Sequence, residues 1–297
     1  MKILYGWETK KIDVTYICFN RLMKNNIITI PCGNLIRDTI FLDINKGVGK
    51  KIYIIINNTK KEYGPFCNIR INTINKNVFV KHFNVVQQKL KNIQSRIKIK
   101  HGSFNEEVPE QLMVSRFLTG NEKVLEIGGN IGRNSLIISS ILKNSANLVT
   151  LECDTKIAQQ LKENRDINKL NFHIENSALS LNKLIQKGWD TIPSDTLKDG
   201  YKWVNTITLD ELKSKYQIEF DTLVLDCEGA FYYILRDMPT IIDNINLIIM
   251  KNDYHNILDK NYIDDILRGN KFIRIYVKGG GCGLCKDRFF EVWKRDE

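Results

Sequence analysis

The order of apolar and polar residues divides the chain into two parts. From residue 2 to about residue 82, short runs rich in β-branched and aromatic residues are separated by Gly, Asn and Pro, a pattern typical of strands joined by turns. The runs predicted to form strands are 2–5, 12–17, 27–30, 39–42, 51–57, 67–71 and 77–80. Together they predict a small antiparallel sandwich or sheet.

A connecting helix follows this region. From Val86 to Ile97, apolar residues recur at helical spacing with Lys and Gln between them, which predicts an amphipathic helix. We place the domain boundary after it, near His101–Gly102. The predicted domains are therefore a β-rich N-terminal domain of unassigned role at residues 1–100 and a second domain at residues 101–297.

In the second domain, predicted strands alternate with segments long enough for helices. This alternation is the signature of an α/β fold with a parallel sheet, and it predicts a doubly wound, Rossmann-like arrangement. The predicted strands are 123–127, 148–152, 171–175, 222–226, 247–250, 272–277 and 289–293.

The sharpest local signal is a glycine loop after the first of these strands. An apolar strand runs through Glu126 into a loop with glycine at positions 128 and 132, and a helical pattern follows. Glycine permits the positive φ of a tight turn and leaves room for a ligand against the backbone. About 20 residues after Gly132 the next predicted strand ends on Glu152, an acid suited to the hydroxyls of a ribose.

This loop differs from the dinucleotide fingerprint. Asn130 stands where that pattern has its second glycine, the one that lets a pyrophosphate approach. A nucleoside without phosphates, joined to a charged amino acid, fits better, and S-adenosylmethionine has this chemistry. The expected ligands are Glu126, Gly128, Gly132 and Glu152. The alternative is a strand–turn–helix in which glycine makes only the bend and Glu152 is a solvated strand end.

Five ordered motifs between about Glu110 and Trp293 resemble the FkbM family of methyltransferases, which methylate hydroxyls on sugars and natural products. They are EIGGNIG (126–132), LECD (151–154), NSALS (176–180), TLDEL (208–212) and FDTLVLDCEGA (220–230). The resemblance implies a class I methyltransferase fold, S-adenosylmethionine as cofactor and transfer to a hydroxyl. The cofactor-binding residues that it implies, together with those already named, are Glu126, Gly128, Asn130, Gly132, Glu152, Cys153, Ser177, Ala178 and Asp226.

Three positions depart from the family pattern. Val224 stands where the family usually has Lys, Phe231 where it usually has Glu, and Lys251 where the fifth strand commonly ends in Glu. These departures concern the acceptor and the activity rather than the cofactor. The N-terminal β-rich region lies outside the resemblance.

Candidate catalytic residues follow from the predicted sheet, because ligands collect at the carboxyl ends of its strands. Asp226 ends an apolar strand, and we expect it to position the acceptor or to act as base, with Glu228 shaping the pocket. His255 follows the fifth strand and has the chemistry of a base near neutral pH. The alternatives are helix-capping acids and a surface histidine. No metal site is predicted, and residues 187–202 are expected to form a lid over the substrate or a disordered insertion.

Composition bears mainly on the acceptor. The 297 residues have a formal net charge of +10, which would suit a polyanion. Much of the lysine, however, lies in segments rich in Asn and Ile, as the codon bias of an A/T-rich genome would produce, for example in a large DNA virus or an intracellular parasite. We therefore expect a small-molecule or carbohydrate acceptor, with nucleic acid as an unlikely partner and the oligomeric state open.

The remaining expectations concern location and alternative functions. The start of the chain reaches Glu8 and Lys10 too soon for a signal peptide, and no apolar run approaches membrane-span length, so the expected location is the cytoplasm (the host cytoplasm if the protein is viral). An alternative enzyme class is a nucleic-acid methyltransferase, although no recognition motif or dense Arg cluster is evident. A third possibility is a non-catalytic binding module built on a methyltransferase fold.

Overall fold

The computed structural model describes residues 1–7, 10–31, 34–42, 50–64, 67–80 and 82–296. In the first hundred residues the elements are β1 Lys2–Gly6, β2 Lys11–Asp13, α1 Thr15–Arg21, β3 Met23–Lys24, β4 Ile27–Ile30, α2 Asn34–Phe41, β5 Lys51–Ile56, β6 Thr59–Tyr63, β7 Ile69–Asn72, β8 Val78–Val80 and α3 His82–Gln94.

The rest of the chain alternates helices and strands. Its elements are α4 Val108–Phe117, β9 Val124–Ile127, α5 Arg133–Ile141, β10 Leu148–Leu151, α6 Thr155–Asp166, β11 His173–Glu175, β12 Ala178–Leu179, β13 Leu184–Lys187, β14 Asp190–Pro193, β15 Lys202–Val204, β16 Thr206–Ile207, α7 Leu209–Tyr216, β17 Thr222–Leu225, α8 Phe231–Asp237, β18 Leu247–Lys251, α9 Ile257–Gly269, β19 Phe272–Lys278 and β20 Phe290–Arg295.

The N-terminal strands form two four-stranded antiparallel sheets, in the orders β2-β1-β5-β6 and β3-β4-β7-β8. Alternate residues of both sheets share one apolar cluster, in which Ile3 and Ile54 of the first sheet join Ile28 and Ile71 of the second. Burying one face of each strand while the other faces water is the ordinary arrangement of a sandwich. The predicted β-rich N-terminal region is therefore confirmed.

Two predicted strands in this region are helices instead. The run 12–17 gives a strand only as far as Asp13, whose carboxylate accepts the backbone N–H of Thr15 at 2.9 Å, and α1 follows. The run 39–42 lies mainly in α2, where Phe41 is buried in the sandwich. In both segments, tertiary packing outweighs the strand preference of β-branched residues.

A seven-stranded sheet forms the second part, in the order β11-β10-β9-β17-β18-β20-β19. All neighbouring pairs are parallel except those of β20, which is antiparallel to β18 and β19. This is a doubly wound, Rossmann-like α/β sheet, and it confirms the predicted fold class. From β9 the chain passes to β10 and β11 on one side, and it then returns to place β17 on the other side of β9. The strand order therefore reverses at β9, and α/β sheets bind ligands at such a point.

Helices cover both faces of this sheet, as near-continuous apolar strands require. Leu125 and Leu223 pack on one face beneath α7, α8 and α9, whereas Val124 and Val224 pack on the other beneath α4 and α5. Leu90 of α3 joins the second cluster, so the connecting helix packs against the α/β part. The boundary near residue 101 stays a prediction.

The segment 187–202 takes part in a small sheet, which its sequence did not indicate. It contributes to a three-stranded antiparallel sheet, β14-β13-β15, inserted between β12 and β16. The Gln186 amide of β13 contacts the Cys153 thiol at 3.4 Å, which fixes this small sheet beside the end of β10. In the part of the chain that the structure describes, no helix combines the length and apolarity needed to cross a membrane.

Candidate functional site

The glycine loop leaves β9 at the point where the strand order reverses. Gly128 has φ +89°, and a Cβ built there would lie 1.9 Å from the backbone oxygen of Asp226. The Asp226 backbone N–H donates to the carbonyl of Ile127 at 3.0 Å, so the loop and the end of β17 are in direct contact. Only glycine allows the two chains to approach this closely.

Gly132 and Asn130 complete the turn. Gly132 has φ +92°, caps α5, and would place a Cβ 2.3 Å from a methyl group of Leu161. Asn130 also takes a positive φ of +47°, a conformation that Asn tolerates better than most residues. Its backbone N–H points at the carboxylate of Glu152, with Oε2 at 3.0 Å.

Glu152 is the acid that faces this loop. Its second oxygen, Oε1, accepts the backbone N–H of Asp154 at 2.8 Å, so two main-chain donors fix the carboxylate at the end of β10. The side chain is buried, and burial raises the pKa of Glu152 against the lowering effect of these two hydrogen bonds. Each oxygen keeps a further lone pair for a ligand hydroxyl.

Glu126 lies beneath the loop rather than on its open side. It is 2% exposed and accepts a hydrogen bond from the Ser135 hydroxyl at 2.5 Å. Burial raises the pKa of Glu126 to about 7, although the hydroxyls of Ser135 and Thr150 oppose the rise. This geometry makes Glu126 a support for the first turn of α5.

Cys153, Ser177 and Ala178 border the same edge of the sheet. Burial raises the pKa of the Cys153 thiol to about 11, so the group is neutral near pH 7. The Ser177 hydroxyl donates to Glu175 at 2.9 Å, and the Ala178 N–H donates to the carbonyl of Asn205 at 2.8 Å. Ser177 also lines a groove of about 650 Å³ between the end of β11 and α7.

Three carboxylates meet around one ammonium group where β17 and β18 end. The Lys251 Nζ lies 2.9 Å from Asp226 Oδ1, 2.9 Å from Asp253 Oδ2 and 3.4 Å from Glu228 Oε1. One oxygen from each of the three acids lies within 4.8 Å of the others, which is a spacing that could hold a metal ion. We name these four residues the Lys251 cluster.

Electrostatics in the Lys251 cluster favour the charged amine. Burial lowers the pKa of Lys251, but the Asp226 carboxylate and its two neighbours outweigh this effect, and the net result is a raised pKa. Burial likewise raises the pKa of Asp226, and the ammonium of Lys251 opposes that rise. The amine therefore stays protonated near neutral pH.

Acids from the start of α4 extend this charged edge, and sequence reasoning did not single them out. Glu107 caps α4 with φ +55° and accepts from Arg133 at 2.8 Å and from the Asn130 side chain at 3.4 Å. Burial raises the pKa of Glu110 to about 7, and its Oε2 makes no hydrogen bond within the described chain. The only sequence signal was their place at the start of a helix with Pro109 in its first turn.

Two of the three departures from the family pattern are core residues. Val224 is 3% exposed in β17, and Phe231 is fully buried at the start of α8. Phe231 and Val224 belong to the apolar clusters on the two faces of the sheet, so apolar packing accounts for both. The third, Lys251, is the centre of its cluster.

The structure brings Asp226 and Glu228 together but leaves His255 apart. His255 is exposed beyond β18, and it makes no hydrogen bond or ion pair with any residue that the structure describes. Glu228 has φ +50° and is 41% exposed, which places it at the rim of the Lys251 cluster.

Several buried polar atoms in the described chain lack a hydrogen-bond partner, and some of them belong to segments along this edge. They include Glu110 Oε2, Asn134 Oδ1, Gln186 Oε1 and Asn252 Oδ1. Unsatisfied buried groups are rare in proteins, and a bound polar molecule is one of the explanations for them. The cradle left by the glycines, the fixed carboxylate of Glu152 and these atoms fit a nucleoside ligand.

No protein-family model and no curated protein sequence matches the chain. Solved structures do resemble it. The ribosomal protein L11 methylase from Lactobacillus delbrueckii subsp. bulgaricus is 12% identical, with 67% of this chain and 82% of that chain covered and a TM-score of 0.43. An O-methyltransferase from Bacillus cereus in complex with S-adenosylhomocysteine is 14% identical, with 71% and 88% covered and a TM-score of 0.39.

An rRNA methylase from Streptococcus thermophilus is 7% identical, with 64% of this chain and 95% of that chain covered and a TM-score of 0.41. Two further similar structures are described as tRNA or rRNA methylases. The expectation that nucleic acid is an unlikely partner is therefore corrected. It rested on ascribing the positive charge to codon bias, without regard to where in the chain that charge lies.

Proposed function

We propose that the chain is an S-adenosylmethionine-dependent methyltransferase that transfers its methyl group to a hydroxyl. The observation that carries the proposal is the glycine loop closed against Asp226, with the Asn130 N–H turned toward the fixed carboxylate of Glu152. A ribose supplies hydroxyl donors for this carboxylate. Asn130 replaces the glycine that lets a pyrophosphate approach, so a nucleoside without phosphates is the better ligand.

The residues that would hold the cofactor follow from their positions. Gly128 and Gly132 leave the backbone open to the ligand, Glu152 would bind the ribose, and Ser177 and Ala178 would border the base. Glu126 would act indirectly, because it fixes Ser135 in the first turn of α5. When bound, the sulfonium supplies a methyl group that is open to in-line displacement.

Asp226 and Lys251 would handle the acceptor. As the acceptor oxygen forms its bond to the methyl carbon and the carbon–sulfur bond breaks, the hydroxyl proton must leave, and Asp226 would take it. Lys251 would stay protonated, orient that carboxylate at 2.9 Å and balance the charge of the neighbouring acids. Positioning would supply much of the rate, as in other displacements on a reactive donor.

The finer assignment to an FkbM-type enzyme rests on the five motifs alone. One of these motifs, TLDEL, also has a purely structural explanation, because Thr208 and Glu211 form a capping box at the start of α7. Asp226 and Glu228 would be the family residues closest to the chemistry.

Calorimetry with S-adenosylmethionine and S-adenosylhomocysteine tests the cofactor site. We expect wild type to bind in the micromolar range, about −8 kcal/mol, and Glu152→Ala to bind at least about tenfold more weakly. Glu219→Ala removes an acid that is 64% exposed and should bind like wild type. A folded wild-type protein that binds neither compound would refute the proposal.

A further inference from the structure

The net positive charge of the chain lies entirely in its first third. Residues 1–100 contain 19 Lys and Arg against five Asp and Glu, whereas residues 101–297 contain 25 against 29. The excess in the N-terminal part is therefore +14, and the α/β part is slightly acidic. Codon bias acts on a whole gene, so it does not account for a division of charge that follows the fold.

Part of this charge lines a groove on the outer face of the β3-β4-β7-β8 sheet. The groove holds about 400 Å³, and its lining residues are Arg21, Leu22, Lys24, Asn25, Ile27, Thr29 and Arg70. Three of them are cations, none is an acid, and Thr29 and Asn25 add polar side chains. We name this surface the Arg70 groove.

The cations of the Arg70 groove are available to a ligand. Arg21, Lys24 and Arg70 are exposed, and none of them makes an ion pair or side-chain hydrogen bond with a residue that the structure describes. Like charges in one groove repel one another, and a bound anion would relieve this repulsion.

An exposed aromatic ring lies beside them. Thr29, Arg70 and Phe79 are aligned across β4, β7 and β8, so they project from the same face of the sheet. Phe79 is 59% exposed, while the opposite face of the same strands is buried in the sandwich. A cationic groove next to an exposed ring is the combination that binds single-stranded nucleic acid, since phosphates pair with the cations and a base stacks on the ring.

The outer face of the other sheet provides a contrast. There Lys51 pairs with Glu62 at 3.0 Å, and Lys11 and Lys60 lie over the Tyr53 ring at 4.8 and 4.7 Å. The cations of that face are already engaged within the protein. The Arg70 groove is therefore the better candidate for a ligand.

We propose that the Arg70 groove binds the sugar–phosphate backbone of a single-stranded nucleic acid, with a base stacked on Phe79. The acceptor class that follows, a nucleic acid brought to the α/β part, rests on the proposed methyltransferase function, whereas the binding itself does not. RNA carries a free 2′-hydroxyl on each sugar, so an RNA acceptor is compatible with hydroxyl methylation.

Fluorescence anisotropy with labelled U12 RNA and dT12 DNA tests the groove, using the full chain without cofactor. Three phosphate contacts predict that log K falls with log[salt] at a slope of about −2. The double variant Lys24→Gln/Arg70→Gln loses two of these contacts and should reduce the magnitude of that slope by about 1.4. Phe79→Ala should weaken binding about fivefold to 150-fold at an unchanged slope.

The matched control is Lys162→Gln/Lys271→Gln, which removes two exposed charges from the α/β part and should leave binding unchanged. Preference between the two oligonucleotides decides between RNA and DNA, and binding of either supports the proposal. Wild-type binding only to heparin or to anionic vesicles would overturn it, as would a groove variant that binds like wild type. Calorimetry with S-adenosylmethionine on the same preparations separates this result from the cofactor proposal.

Discussion

Replacing Lys251 by Met removes the ammonium group from the Lys251 cluster and leaves its three acids facing one another. The lysine is 18% exposed, and Asp226 and Asp253 are 22% and 27% exposed, so solvent compensates the lost charge only in part. Removing one partner of a fully buried pair costs about 3–5 kcal/mol. Because this cluster retains some contact with water, we expect about 3 kcal/mol at pH 8, or a fall in Tm of about 6–12 °C.

The deficit should depend on pH. The raised pKa of Lys251 means that its contribution is complete below about pH 10, the unfolded value, and is lost as pH rises further. Between pH 4 and 8 the lysine of wild type therefore stays charged. In Lys251→Met the acids protonate as pH falls toward 4, so the difference from wild type should shrink on acidification.

Thermal melts with divalent cations give the sharpest readout. Three carboxylate oxygens within 4.8 Å, freed of the ammonium, form a partial oxygen cage of the kind that Ca²⁺ or Mn²⁺ prefers. Millimolar Ca²⁺ or Mn²⁺ should raise the Tm of Lys251→Met much more than that of wild type. Lys213→Met, which removes a lysine that pairs with exposed Glu219, should cost at most about 1 kcal/mol and show no metal response.

The reasoning fails if Lys251→Met melts like wild type at pH 8. It also fails if the two proteins respond equally to the cations. Either result would mean that the ammonium does not hold the three acids together.

Three further predictions concern single residues of the candidate site. Burial raises the pKa of Glu126 to about 7 from 4.5, so the stability that the protonated carboxyl contributes below pH 4.5 is lost as pH rises through 7. Urea unfolding at pH 5 and 8 should show wild type losing about 2.5 kcal/mol more than Glu126→Gln, and equal losses would contradict this. Asp226→Asn should abolish methyl transfer from labelled S-adenosylmethionine while calorimetry still detects cofactor binding; retained turnover would remove Asp226 from the proposed mechanism. Gly128→Ala should abolish cofactor binding and lower the Tm by several degrees, because its Cβ would lie 1.9 Å from a backbone oxygen. The control Gly269→Ala, with open space around it, should change stability by at most about 1 kcal/mol. Cofactor binding by Gly128→Ala like that of wild type would contradict the close approach.

The glycine loop could be predicted because its determinants are local. A positive φ, a missing Cβ and an acid about 20 residues later are all properties of consecutive sequence. The strands of the seven-stranded sheet were equally accessible, since buried parallel strands form continuous apolar runs such as 223–225.

The Lys251 cluster was not predictable in the same way. Asp226 and Glu228 follow β17, while Lys251 ends β18, and only the pairing of these two strands brings them within 3.4 Å. Lysine at position 251 was noticed only as a departure from a family pattern. Its ion pairs required the register of the sheet.

Helices α1 and α2 were mistaken for strands for a related reason. Their residues include Ile, Thr and Phe, which favour strands on average, but Cys18 and Phe41 gain more by packing into the sandwich from a helix. Burial of that kind depends on the neighbouring sheets and leaves no period-2 pattern to detect.

The division of charge joins the candidate site to the N-terminal groove. Lys251 and Arg133, cations of the α/β edge, are engaged by acids at 2.9 and 2.8 Å, and Glu110 adds another carboxyl group there. Such an edge gains little from a phosphate backbone, because its cations are already neutralised. A polyanionic acceptor would therefore need its anchorage elsewhere, and the unpaired cations of the Arg70 groove would supply it. If both proposals hold, the acidic edge would select a single neutral hydroxyl from a chain that the N-terminal sandwich would hold by its phosphates.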